Sequence, residues 1–188
     1  MNAIATQEKS WFEMTLKAAV IYDDFDFAAR AAALLERAAI RADEAMKWDI
    51  KPWRFDVLKQ SSLAAAALDE TSDADLIVVA SCGTHLPPDE AMEWLEHWAA
   101  RRQVRDVAVM AFCPEENVGP MSFGKRLKQF ADWHGLTFLG SHILRDDGDA
   151  MDFVHRLWRQ KRPPQFVVST LESIAGPSQP ARHWGINE

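Results

Sequence analysis

The sequence predicts a three-layer α/β domain built on a doubly wound, five-stranded parallel sheet of order 2-1-3-4-5. Three observations carry that prediction. Short apolar runs alternate with longer amphipathic stretches along most of the chain, the mark of repeated strand–helix units. The run Asp75-Leu76-Ile77-Val78-Val79-Ala80 is apolar after its first residue, as a strand covered on both faces must be. Each strand is followed by enough chain for the helical crossover that parallel neighbours need, and such crossovers are right-handed.

The elements follow in order. Leu16 to Ile21 is an apolar first strand running into the acidic turn Tyr22-Asp23-Asp24-Phe25-Asp26. Asp26 can cap a first helix to about Arg41, with Ala31, Leu34, Leu35 and Ala38 on one face. Trp48 to Phe55 alternates at period two with a slip of phase at Pro52, which predicts a strand with a bulge there or a place at the sheet edge. An alanine-rich second helix covers about Ser62 to Leu68, ending near Thr71-Ser72-Asp73. The strand 75–80 follows.

The third helix is the clearest. Pro87-Pro88-Asp89-Glu90 opens it and Arg101-Arg102 closes it, matching the helix dipole at both ends. Trp94, Leu95 and Trp98 should meet the sheet, as should Trp133 from the next helix. A fourth strand, Asp106 to Phe112, precedes a helix from Met121 to His134 that Gly135 ends. Leu136 to Leu139 is the fifth strand, and a last helix over about Ala150 to Gln160 stops before Pro163-Pro164. This divides the chain into an N-terminal extension 1–15, an α/β domain 16–162 and an extended tail 163–188.

Composition narrows the function classes. The 188 residues are 48% hydrophobic and carry a net charge of −7, so a full core fits and general nucleic-acid binding does not. Two cysteines, Cys82 and Cys113, are too few and too far apart for a disulfide scaffold or a zinc cluster. The first ten residues lack the pattern of a secretory signal, and no apolar run is long enough to span a bilayer, so a cytoplasmic protein without membrane contact is expected. Neither GxGxxG nor GxxxxGK[ST] occurs. In such sheets ligands bind at the carboxyl edge, where the turn 22–26 and the loop Ser81-Cys82-Gly83-Thr84-His85-Leu86-Pro87-Pro88 lie side by side.

The residues at that edge resemble those of response-regulator receiver domains, over roughly residues 16–160. Asp75 to Ala80, with Leu86-Pro87 downstream, looks like their third strand and following loop. Asp23-Asp24 resembles their magnesium-binding acidic pair. The resemblance implies a flavodoxin-like fold, a signalling role, and magnesium at Asp23 and Asp24 as the one cofactor to consider. It also exposes departures. The phosphoacceptor aspartate is matched by Ala80, the hydroxyl residue after the fourth strand by Ala111 or Phe112, and the lysine after the fifth strand is missing from Gly140-Ser141. Phosphoryl transfer needs acceptor, metal and charge-neutralising partners together. A degenerate, phosphorylation-independent form is therefore expected.

Two readings remain open at Asp23, Asp24 and Asp26. Closely spaced carboxylates suit a hard cation, and acidic residues at a helix N-terminus also cap free amides and complement the dipole. FMN is disfavoured at this acidic turn, because its phosphate would be repelled. The alternative site for chemistry is Cys82 with His85, a thiolate–imidazolium pair in a small enzyme or ligand-binding protein, with Cys113 or His142 nearby. Against it stands the common role of free cysteine as a small packing residue. The expectation is a non-enzymatic regulatory or protein-interaction domain, acting on a protein partner or as a homodimer.

Overall fold

The computed structural model describes residues 14–42, 46–81, 88–112 and 123–140. Expectations for the last helix over 150–160, for the tail and for residues 1–13 fall outside them, so the proposed domain limits are not tested.

Five strands form one all-parallel sheet of order β2-β1-β3-β4-β5. They are β1 (Met14–Tyr22), β2 (Met46–Arg54), β3 (Leu76–Ala80), β4 (Ala108–Phe112) and β5 (Thr137–Leu139). The helices are α1 (Phe25–Ala42), α2 (Ser61–Thr71), α3 (Asp89–Arg101) and α4 (Phe123–His134), with a short 3₁₀ turn at Val57–Lys59. The fold is flavodoxin-like, as the sequence predicts.

The sheet separates two cores. Ala19, Ile21, Ile77, Val79, Val109 and Ala111 face α2, α3 and α4, where Leu68, Leu95, Trp98, Leu127 and Phe130 fill the layer. Leu16, Val20, Leu76, Val78 and Met110 face the other way, packed with Ala31, Leu35 and Ala38 of α1. All five residues of β3 and all five of β4 are buried, which explains their unbroken apolar character. Burying each Leu or Val of these strands contributes about 1.5–3 kcal/mol.

Trp94 and Trp98 of α3 do meet the core, and each also ties α3 to α2. Trp94 Nε1 donates to the Ala64 carbonyl at 3.1 Å and Trp98 Nε1 to the Thr71 carbonyl at 2.9 Å. A buried indole needs such an acceptor. α4 ends as expected at Gly135, whose φ of +66° is one that residues with a Cβ rarely adopt. Leu136 N–H donates to the Ala131 carbonyl at 2.8 Å and Gly135 N–H to that of Asp132 at 3.4 Å, the double bond of a Schellman cap.

Two expectations are corrected, at Trp133 and at the cap of α1, and at Pro52 the edge alternative holds over the bulge. Trp133 does not face the sheet: it is 86% exposed, because Phe130, Ala131 and Leu127 occupy the inward face of α4. Pro52 makes no bulge. The β1–β2 register runs unbroken through it, from Met14 against Met46 to Tyr22 against Arg54. Pro52 is tolerated because β2 is an edge strand bonded to one neighbour only. The change of apolar phase reflects two faces in use, with Trp48 and Ile50 on the α1 side and Trp53 on the α2 side. Finally, the cap of α1 is Asp24, not Asp26.

Candidate functional site

The carboxyl edge is built where β1, β3 and β4 end. After Tyr22 the chain turns sharply, and Asp23 N–H donates to the Ala80 carbonyl at 3.3 Å, extending the β1–β3 pairing by one bond. Asp24 then starts α1. Its Oδ1 accepts the Asp26 N–H at 2.7 Å, and its carbonyl accepts the Ala28 N–H at 3.2 Å. That is the geometry of an N-cap, which satisfies a free amide of the first turn and sets negative charge at the positive end of the dipole. Asp26 sits one step inside the helix.

Asp23 turns the other way, toward β3. Ser81 Oγ donates to Asp23 Oδ2 at 2.6 Å, and Ser81 N–H donates to the Phe112 carbonyl at 3.0 Å. Ser81 is only 3% exposed, so its hydroxyl needs this acceptor. One serine thus links the ends of all three strands. Ser81 was not singled out by sequence reasoning, because a serine after a strand carries no period or motif. Its only signal was adjacency to the acidic turn in the predicted strand order.

The two aspartates are therefore adjacent, at the expected edge, and each already bonds a neighbour. A hard divalent cation takes six or more oxygen ligands. Among the described residues no group of three acidic, histidine or cysteine side chains is positioned to hold one. Ala80, at the end of β3, offers only a methyl, and its carbonyl receives the Asp23 N–H. Ala111 and Phe112 close β4 without a hydroxyl, both buried. Cys82, His85, Cys113 and His142 lie outside the described residues.

The opposite edge of the sheet is polar in a way the sequence did not advertise. Asp75 is 1% exposed, yet charged in type. Its carboxylate accepts the Lys17 N–H at 2.8 Å, its own N–H donates to the Lys17 carbonyl at 2.8 Å, and its carbonyl accepts the Ala108 N–H at 3.1 Å. It extends β3 by one residue, with a side chain standing in for backbone. At the same edge lies a cavity of about 390 Å³ lined by charged residues of β1, β2 and the end of α2.

Those charges are mutually engaged. Lys17 Nζ pairs with Asp73, whose carboxylate, as hydrogen-bond acceptor, raises the lysine pKa above its ordinary value. Lys51 Nζ lies 3.2 Å from Asp49 and 3.7 Å from Glu70, and the Asp49 carboxylate raises its pKa likewise. Glu70 also accepts from Trp53 Nε1 at 3.1 Å. A lattice of paired, half-exposed charges reads as a solvated rim rather than a ligand site.

A second concavity, of about 540 Å³, runs between α2 and α3. Ala64, Ala65 and Leu68 form one wall and Trp94 the other, and ion pairs close each end: Lys59 with Glu90 at 3.5 Å, Arg101 with Asp69 at 3.7 Å. Among the described residues no helix is long and apolar enough to cross a membrane. No protein-family model matches this chain, and no curated protein matches it.

Proposed function

We propose that this chain is a non-enzymatic regulatory or protein-interaction module, receiver-like in plan and independent of phosphorylation. The observation that carries the reading is the end of β3. Ala80 stands there, fully buried, where the resemblance expects a phosphoacceptor. A methyl group accepts no phosphoryl group, and the neighbouring Ser81 hydroxyl is committed to Asp23. Asp23 and Asp24 act in this reading as ties, one to β3 and one to α1. Magnesium held by the pair would add no phosphoryl step, since the acceptor it serves is missing. The partner is another protein or a second copy of the chain.

The test is incubation with a small phosphodonor, such as acetyl phosphate, in the presence of magnesium, followed by intact mass measurement. The mass should stay unchanged. A stoichiometric phosphoryl adduct that needs magnesium and Asp23 would overturn the reading.

A second reading, an enzyme using Cys82 and His85, has one observation in its favour. Ser81, the residue before Cys82, is anchored to Asp23 and Phe112 at the edge where such folds bind ligands. The rate of Cys82 alkylation against pH separates the two. An ordinary thiol profile supports the interaction module, and a thiolate already formed at neutral pH supports the enzyme.

A further inference from the structure

Helix α1 carries an unusual outer flank. Phe25, Ala29, Ala32, Ala33, Glu36 and Ile40 lie within one stripe about 100° wide along the helix. Its ends are large, apolar and in solvent: Phe25 is 73% exposed and Ile40 69%. Between them the side chains are small, apart from Glu36. Beside this stripe runs a second, of Asp26, Arg30, Arg37 and Arg41. The sheet-facing residues Ala31, Leu35 and Ala38 lie on the far side.

The layout is close to symmetric about the point between Ala32 and Ala33. A second α1 laid antiparallel across that point sets Phe25 against Ile40 of its copy, Ala29 against Glu36, and Ala32 against Ala33. Alanines at the centre let two helix axes approach to about 8 Å, the close end of the usual range. The same placement sets Asp26 midway between Arg37 and Arg41 of the other copy, about 3 Å along the axis from each at 1.5 Å per residue. It also sets Glu36 beside Arg30, which offsets the like charge of the other copy's Arg37 at about the same 3 Å along the axis from Arg30. Arg41 has an interaction within its own chain, so Arg37 is the principal cation. A two-fold axis makes every one of these contacts twice, and the two helix dipoles oppose each other favourably.

We propose that two copies of this chain associate through α1, antiparallel, with Phe25 and Ile40 as apolar anchors and Asp26 paired to Arg37. This rests on the reading of the chain as an interaction module and names its partner as a second copy. The surface is modest. An 18-residue helix is about 27 Å long, which gives less than the area of a standard stable interface. The dimer is accordingly a reversible one, with Kd on the order of 10–100 µM.

Sedimentation velocity of the full chain over a concentration series tests this, with thermal unfolding as the fold control. A monomer–dimer equilibrium is expected. Ile40→Glu and Phe25→Glu should each abolish it without loss of fold. Asp26→Arg should weaken it tenfold or more, and Asp26→Arg combined with Arg37→Glu should restore it. A chain that stays monomeric at all concentrations overturns the proposal, as does a dimer that Ile40→Glu leaves intact. A monomer in which Ile40→Glu deprotects amides of residues 150–188 in hydrogen exchange also overturns it, because the stripe then holds the chain's own C-terminal part. A phosphoryl adduct, by contrast, overturns the phosphorylation-independent reading whatever the oligomeric state, so the two failures are separately visible.

Discussion

Ser81 and Asp23, 58 residues apart in the chain, are joined at the carboxyl edge by a 2.6 Å hydrogen bond from hydroxyl to carboxylate. The bond ties the turn after β1 to the end of β3, and Ser81 N–H carries the link on to β4. Ser81→Ala should cost about 1 kcal/mol, since a net hydrogen bond contributes about that much and the Asp23 carboxylate is largely in water. Urea unfolding should show a lower midpoint with an unchanged m-value.

Asp24 should be worth a similar amount for a different reason. Asp24→Ala removes the N-cap of α1, at about 1 kcal/mol, and Asp24→Ser should recover most of it because a serine can accept the same Asp26 N–H. Asp24→Asn should recover as much as Asp24→Ser, whereas a metal role predicts that in magnesium Asn recovers more than Ser. Circular dichroism melting of the three variants checks this.

Asp75 is the more critical acidic residue. Its carboxylate satisfies the Lys17 N–H just before β1 begins to pair with β3, so Asp75→Ala should cost about 2–3 kcal/mol by leaving that amide without its acceptor. Asp75→Asn keeps an acceptor oxygen and should cost clearly less. Equilibrium urea unfolding of both variants makes the comparison.

The strands and their order were legible because burial on both faces demands apolar residues without interruption, and 76–80 and 108–112 obey that demand. Trp94 and Trp98 were legible for the same reason, being four apart on a helix that must cover a sheet. Trp133 was not. Its helix already had Leu127, Phe130 and Ala131 to turn inward, and composition alone does not rank one apolar face above another. The phase change at Pro52 was visible but ambiguous, since a bulge and a strand used on both faces leave the same pattern. At the edge, Asp23 and Asp24 were legible as residues, while their bonds were not. Which carboxylate caps α1 depends on where the helix starts to within two residues, and Ser81 reaches Asp23 only through the pairing of β1 with β3. The amino-edge lattice was missed for a like reason: Lys17, Asp49, Asp73 and Asp75 come from three parts of the chain and share no spacing.

Acid and alkali should act at different pairs. The Arg54 guanidinium beside Asp56 holds that carboxyl below the usual aspartate range. Its stabilising effect is therefore present above the unfolded value and is lost as pH falls through the lower folded one, below about pH 3.8. Lys17 is shifted upward by Asp73. Its effect is complete below the unfolded lysine value of 10.5 and is lost as pH rises through the higher folded one. Lys17→Met should flatten the alkaline limb of the stability profile and leave the acid limb alone. Both effects should be small and screened by salt, because the pairs are largely in solvent.

The measurement closest to the central claim is a beryllofluoride titration in magnesium, followed by intrinsic tryptophan fluorescence. With Ala80 at the end of β3, the wild-type signal should be the same with beryllofluoride and magnesium as with magnesium alone. A saturable beryllofluoride response that needs magnesium and disappears in Asp23→Asn would contradict the account, since it would mean that the carboxyl edge still assembles a phosphoryl site.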